Sequence, residues 1–229
     1  MHKLSAKIFI FLRPKPRSDV TSSKIAEYLL KIKAVKIDVG NPFQWSSGWK
    51  SPIYCDNRLT LSHPEIRDFI KHGFVERVKA EYPEATGIVG VATGAIALGV
   101  LVADEMGLPF IYVRSKAKGH GMQNLLEGDV DSNGKYVVIE DLVSTGCSSV
   151  KAVQAVQATG ATVLGTISIF SYGFPQAKAA FEETGTQYDS LTNLKTLLEK
   201  AQEFDYLQAD EQATIFDWQQ DPANWNGQE

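Results

Sequence analysis

Residues 135–160 read KYVVIEDLVSTGCSSVKAVQAVQATG, and this segment predicts a strand, a tight turn and a helix in succession. The apolar start is typical of a buried strand, and the helical pattern after the turn ends at Gly160. Two adjacent carboxylates, Glu140 and Asp141, stand where the strand ends. Because the free N–H groups of a helix start bind anions, we expect a phosphate-type ligand at this turn.

Strands and helices alternate on both sides of this segment. Residues 87–92, 109–113 and 161–170 read as further strands, residues 63–82 as a helix, and residues 175–229 as a helical tail with a polar, Trp-containing end. Such alternation predicts an α/β fold with a central parallel sheet flanked by helices and right-handed crossovers.

The predicted organisation is one domain with small additions. Residues 1–20 form an N-terminal extension, and residues 21–229 form the domain, with its first helix beginning at Ser22. Within it, residues 38–60 are turn-rich and aromatic and form a small N-terminal hood of irregular loops, and the helical C-terminal tail proper covers about residues 190–229. A transit peptide is the alternative interpretation of the basic residues 1–20.

Composition excludes several classes of protein. The 229 residues carry a formal net charge of −4, with 44% hydrophobic and 22% charged residues, which argues against a nucleic-acid partner. Apolar runs stay well below the roughly 18 residues that a membrane helix needs, so no membrane partner is expected. Cys55 and Cys147 have neither metal-site spacing nor a disulfide pattern, and they favour the reducing cytoplasm.

The residue types around the central turn suit a sugar phosphate. Hydroxyls of Ser144, Thr145 and Ser148 and the helix-start N–H groups can hold the phosphate, while Glu140 and Asp141 suit the sugar hydroxyls or a metal bridging oxygens. A plain helix N-cap with acids near a favourable dipole is the alternative. Neither the P-loop pattern nor the G-x-G-x-x-G dinucleotide fingerprint is present.

Three motifs carry a resemblance to a known family. VVIEDLVSTGCS (137–148) resembles the phosphoribosyl-pyrophosphate (PRPP) motif of type I phosphoribosyltransferases. FQWSSGWKSPIYCDNR (43–58) resembles the hood signature of orotate phosphoribosyltransferases, and YVRSKAKGHG (112–121) resembles their mobile catalytic loop. The resemblance covers about residues 38–205. It implies the type I phosphoribosyltransferase fold and the Mg²⁺-dependent transfer of phosphoribose from PRPP to orotate, giving orotidine monophosphate and pyrophosphate in pyrimidine synthesis.

The resemblance also implies roles for individual residues. The catalytic set is Lys118, His120 and Asp141. Mg²⁺ would be held mainly by PRPP, with Asp141 as the candidate protein ligand. PRPP binding falls on Arg114, Lys118, His120, Glu140, Asp141, Leu142, Val143, Ser144, Thr145, Gly146, Cys147 and Ser148. Orotate binding falls on Ser47, Gly48, Lys50, Tyr54, Cys55 and Ser144.

The loop of residues 114–121 is expected to close over the site. Its cations would stabilise the charge that builds on the leaving pyrophosphate, and His120 could donate a proton. In the family such a loop completes the neighbouring subunit's site, which implies a homodimer. Taken without the other motifs, Arg114, Lys116 and Lys118 could also be a solvated charge run.

Several positions depart from the family pattern. Ser46 and Ser171 stand where some members carry a lysine and an arginine, and Ser115 stands where many carry a second loop cation, for which Lys116 could substitute. Thr93 or Gly94 replaces a lysine after the first parallel strand. The sequence therefore leaves open which group neutralises the orotate carboxylate.

Two other functions remain as alternatives. A sister enzyme acting on hypoxanthine, xanthine or adenine would not need the hood signature. A regulator that senses PRPP and binds RNA or DNA would need a basic face or an added domain, whereas this chain has a net charge of −4.

Overall fold

The computed structural model describes residues 18–116 and 125–227. The first helix begins at Ser18, four residues before the predicted start, and a short 3-10 helix covers Asn57–Ser62. The α-helices are α1 (Ser18–Lys31), α2 (Pro64–Glu81), α3 (Ile96–Met106), α4 (Cys147–Gln157), α5 (Pro175–Glu183), α6 (Leu194–Glu203) and α7 (Ala209–Gln220).

Ten strands are described, and six of them form the central sheet. They are β1 (Val35–Ile37), β2 (Phe43–Gln44), β3 (Lys50–Ser51), β4 (Ile53–Cys55), β5 (Gly87–Val91), β6 (Phe110–Val113), β7 (Leu126–Glu127), β8 (Lys135–Val143), β9 (Thr162–Ser171) and β10 (Tyr188–Asn193). The order is β10-β9-β8-β5-β6-β7, parallel throughout except for the antiparallel edge strand β7. The predicted parallel α/β sheet is confirmed.

Both faces of the sheet are covered, which explains its apolar strands. All five residues of β5 are buried, and so are five consecutive residues of β8. Val137 and Ile139 belong to a core shared with α1, α2, α3 and α6, whereas Tyr136 and Val138 belong to a second core shared with α4 and α5. Strands buried on both faces read as near-continuous apolar runs, as the sequence of this sheet does.

Within the predicted irregular hood, three short segments form strands. β2 pairs with β3, and β1 pairs with β4, both antiparallel. Trp45 packs its ring 5.1 Å from that of Tyr172 and 5.7 Å from that of Trp218, measured between centroids. Trp218 is fully buried, and its Nε1 donates to the Lys50 carbonyl at 3.2 Å. The hood is therefore anchored to α7 through a shared aromatic core.

The predicted all-helical tail is wrong at one element. Tyr188–Asn193 forms β10, the parallel edge strand beside β9, with Thr192 opposite Phe170. The segment YDSLTN has no apolar run, so its strand conformation depends on the neighbouring backbone and not on its own pattern. Within the described ranges, no helix combines the length and apolar character needed to cross a membrane.

Candidate active site

The ends of β5 and β8 mark the point where the chain reverses its direction across the sheet. β5 leads through α3 to β6 on one side, whereas β8 leads through α4 to β9 on the other. In open α/β sheets, ligands bind outside the carboxyl ends of the strands at such a switch point. Asp141, near the end of β8, and Gly94, after β5, approach so closely that a Cβ on Gly94 would overlap the Asp141 carboxylate.

Glu140 is buried and held by internal hydrogen bonds. Only 4% of its surface is exposed, Oε1 accepts from the Asp141 N–H at 2.9 Å, and Oε2 accepts from Ser149 Oγ at 2.9 Å. Burial, followed by the neighbouring charge of Asp141, raises the pKa of Glu140 well above its usual value. Because both of its carboxylate oxygens bond to the protein, Glu140 stabilises the end of β8 and is not directed at a ligand.

Asp141 is the less buried of the two carboxylates. Burial raises its pKa, while the hydrogen bond with Glu140 and the charge of Arg58 act in the opposite direction. The Arg58 guanidinium donates two hydrogen bonds to the Asp56 carboxylate, at 2.6 and 2.9 Å. These bonds fix the position of the guanidinium. The hood therefore contributes a fixed positive charge to the surroundings of Asp141.

The anion cup predicted from the sequence corresponds to the turn that joins β8 to α4. Gly146 precedes α4 with a φ of 82°, a left-handed conformation that favours glycine. No described side chain caps the start of α4, so its first N–H groups are left for a ligand or water. Thr145 Oγ1 donates to Cys147 Sγ at 3.4 Å, so both side chains lie at this helix start.

A cavity of about 920 Å³ separates the cup from the hood. It brings together predicted residues from segments about 90 positions apart in the chain. Among the described residues, its lining includes no charged side chain. The lining residues are Gln44, Trp45, Ser46, Ser47, Trp49, Tyr54, Cys55, Leu142, Ser144, Thr145, Cys147, Tyr172, Gln176 and Ala180.

Other predicted residues are placed away from this lining. The Lys50 ammonium donates to the Asn226 carbonyl at 3.1 Å, and Gly48 takes the left-handed position of the β2–β3 turn with a φ of 90°. Val143 is buried in the core, and Ser148 is an exposed residue of the first turn of α4. Arg114 pairs with Glu127 of β7 at 3.4 Å.

The two remaining catalytic predictions, Lys118 and His120, lie outside the described residues. Ser171, where some family members carry an arginine, is 3% exposed, and its Oγ accepts from the Gly173 N–H at 3.0 Å. The side chains of the described chain that approach the cavity are therefore neutral hydrogen-bonding and aromatic groups.

Sequence reasoning missed several residues that contribute to this region, among them Asn57, Arg58 and Gln176. Asn57 and Arg58 are the last two residues of the hood signature, and both interact with the surroundings of Asp141. Gln176 lines the cavity from the first turn of α5. The sequence signal for Asn57 and Arg58 was the polar and charged run CDNR at residues 55–58.

Known proteins resemble this chain over most of its length. No protein-family model matches. The orotate phosphoribosyltransferase of Bacteroides thetaiotaomicron is 48% identical over 201 residues, covering 88% of this chain and 95% of that protein. Orotate phosphoribosyltransferase from Aeropyrum pernix superposes with a TM-score of 0.70 at 27% identity, covering 80% of this chain and 99% of the other.

UMP synthase of Leishmania donovani shares the fold with a TM-score of 0.73 and 25% identity, covering 86% of this chain but 42% of the longer enzyme. The identity to the bacterial relative extends across nearly the whole of both chains, so it includes the hood, the sheet and the turn after β8. On these grounds, together with the cup and cavity described above, this chain belongs to the orotate phosphoribosyltransferase family.

Proposed function

We propose that this protein is an orotate phosphoribosyltransferase, which transfers phosphoribose from PRPP to orotate and releases orotidine 5′-phosphate and pyrophosphate for UMP synthesis. One observation carries the proposal: a single cavity has the hood signature on one wall and the anion cup after β8 on the other. A flat base and a sugar phosphate would meet in such a cavity. The free thiols of Cys55 and Cys147 are consistent with a cytoplasmic enzyme.

The proposed roles follow from the chemistry of each wall. The 5′-phosphate binds the N–H groups at the start of α4 and the hydroxyls of Ser144 and Thr145. The Asp141 carboxylate accepts from the ribose hydroxyls, and Tyr54 and Cys55 pack against the base. Holding base and ribose in this alignment converts a bimolecular reaction into one between neighbouring atoms.

Magnesium fits this donor set as a substrate-held ion. Within the described ranges, no group of three or more His, Cys, Asp or Glu residues could hold a metal. Mg²⁺ in phosphoryl sites commonly takes one or two carboxylates together with substrate phosphates, and Asp141 supplies one such carboxylate. When bound, the ion would offset the negative charge on the departing pyrophosphate.

We also infer a homodimer in which residues 114–121 of one subunit complete the other subunit's site. The described cavity lining carries no charge, although both substrates are anionic, so the compensating cations must come from elsewhere. The family resemblance places Arg114, Lys116, Lys118 and His120 on the mobile loop, and we take them as the candidate source of those cations. The same loop is our candidate for neutralising the orotate carboxylate.

The reaction is tested by following orotate absorbance with PRPP and Mg²⁺ present. We expect consumption of orotate and the appearance of orotidine 5′-phosphate, with uracil and hypoxanthine left unchanged in parallel reactions. Turnover of hypoxanthine instead would indicate the sister enzyme. Tight PRPP binding without turnover of any base would indicate a regulator.

Replacing Arg58 with methionine should shift the acid limb of the pH profile. If Asp141 must be ionised to hold the ribose, activity falls as the pH drops through its pKa. The Arg58 charge lowers that pKa, so its removal should move the loss of kcat/KM to higher pH. The profile of kcat/KM against pH measures the shift.

The matched control is Arg67→Met, because the Arg67 guanidinium donates to the Leu61 carbonyl, away from the Asp56 carboxylate that Arg58 binds. The Arg58 side chain is 59% exposed, so salt should reduce the difference between Arg58→Met and the wild type. Identical acid limbs for Arg58→Met and the wild type at low salt would show that Arg58 does not tune Asp141.

A further inference from the structure

Asn57 connects the hood to the end of β8 by hydrogen bonds at both ends of its side chain. Its Nδ2 donates to the Asp141 carbonyl at 2.6 Å, and its Oδ1 accepts from Cys55 Sγ at 3.2 Å. Asn57 is only 2% exposed, and its own carbonyl accepts from Thr60 Oγ1 at 2.6 Å. Hydrogen bonds at both ends restrict the Asn57 side chain to one conformation. The position of the hood at Cys55 is therefore coupled to the position of β8 at Asp141.

The Asp141 carbonyl lies beyond the point where β5 stops pairing with β8. β5 pairs with β8 only as far as Ile139, opposite Gly90, so Asp141 lies beyond the paired part of that edge. A buried carbonyl without a partner is costly, and the Asn57 amide supplies that partner from the hood. The backbone position of Asp141 is therefore set by a residue outside the central sheet.

Cys55 and Asp141 belong to the two halves of the proposed site. Cys55 lines the cavity and is proposed to pack against the base, whereas Asp141 is proposed to hold the ribose. The chain Cys55–Asn57–Asp141 thus spans both halves through two hydrogen bonds. Only a side chain with both a donor and an acceptor can make these two bonds at once, and the amide of asparagine does so.

We infer that Asn57 is a positioning residue that keeps the base-binding hood in register with the ribose-binding end of β8. This inference rests on the proposed transferase activity. Attack on the ribose requires base and sugar to be aligned closely, and small misplacements are costly in rate. Loss of the Asn57 bonds should therefore affect ligands that span both halves more than ligands that occupy one.

The test uses Asn57→Leu and Asn57→Asp in the full-length protein. Leucine removes both bonds at similar volume, and aspartate removes the donor to Asp141. We expect kcat to fall about 10- to 100-fold while the KM values of PRPP and orotate change less than about threefold. In calorimetry, orotidine 5′-phosphate should bind at least about tenfold more weakly, whereas ribose 5-phosphate should bind nearly as in the wild type.

The matched control is Asn193→Ala, which removes the N-cap bond from Asn193 to the Thr196 N–H at 3.0 Å. It should lower the melting temperature through the lost cap but leave kcat and the affinity for orotidine 5′-phosphate unchanged. If Asn57→Leu resembles Asn193→Ala in all these measurements, Asn57 is merely structural and the inference is overturned. Should Asn57→Leu fail to fold, the same comparison rests on Asn57→Asp.

The binding measurements distinguish a failure of this inference from a failure of the proposed reaction. If the wild type does not turn over orotate but the variants selectively lose affinity for orotidine 5′-phosphate, the reaction is wrong and the coupling stands. If the wild type turns over orotate and the variants match it in kcat and binding, the coupling is wrong and the reaction stands. A wild type with neither turnover nor orotidine 5′-phosphate binding would overturn both.

Discussion

Replacing Asp141 with asparagine is expected to lower kcat/KM for PRPP by about 100- to 1,000-fold, the range observed when one preorganised polar contact is removed from a reacting centre. Asparagine keeps the shape of the side chain but cannot offer an ionised oxygen to the ribose or to Mg²⁺. Steady-state kinetics with both substrates measures the loss. Unchanged rate and unchanged PRPP affinity would exclude Asp141 from the site.

The same substitution should leave the fold as stable as before or stabilise it. Burial raises the folded-state pKa of Asp141 above its unfolded value, so the unfolded chain gives up this proton at lower pH. Stability then falls as the pH rises from the unfolded pKa to the folded pKa. Asparagine lacks this ionisation, so Asp141→Asn should have a higher melting temperature than the wild type at neutral pH. The difference in melting temperature should be smaller at acidic pH.

The control for both measurements is Asp104→Asn, since Asp104 is exposed on α3. It should leave kcat/KM and the melting temperature within experimental scatter of the wild type. A large loss of stability in Asp141→Asn would show instead that the Asp141 carboxylate stabilises the fold.

Replacing Gly94 with alanine is the second substitution with a large expected effect. The added Cβ would overlap the carboxylate of Asp141, so that side chain must move. A displacement of the order of 1 Å at a reacting group can cost roughly 100-fold in rate, and we expect kcat/KM to fall by about that factor. Because the group that moves is a side-chain end, the melting temperature should change little.

Two controls show whether Gly94 acts through Asp141. Gly40→Ala places a Cβ 3.8 Å from Asp38 Oδ1, an ordinary contact, and should be nearly silent. In the double variant Gly94→Ala with Asp141→Asn, the loss of activity should be little greater than in Asp141→Asn alone, because both changes disable the same contact. Fully multiplicative losses would mean that Gly94 acts on another part of the site.

The sequence determined the sheet and the position of the site because both depend on local patterns. The buried strands β5 and β8 contain consecutive apolar residues, and the helix start after Gly146 is encoded by the residues beside it. Parallel strands place their carboxyl ends at one edge, so the motif at Glu140–Ser148 had to lie at the ligand-binding edge. The hood signature was equally readable as a motif.

The tertiary structure decided which side chains meet. β10 exists because β9 offers it a backbone edge, and Trp218 is a core residue because the hood packs against α7. Asn57 and Asp141 are 84 positions apart in the chain, and no local pattern records their hydrogen bond. The buried state of Glu140 likewise depends on the Ser149 hydroxyl and the layers around it.

By itself, then, the sequence determined the α/β architecture, the turn between β8 and α4 and the family resemblance, since these follow from periodicity and from residues adjacent in the chain. Only the tertiary structure decided that Glu140 faces inward, that Lys50 points to the Asn226 carbonyl, and that the described cavity wall is uncharged. The physical reason is that burial, pKa and hydrogen-bond partners depend on atoms brought from distant segments, and folding alone brings those segments into contact.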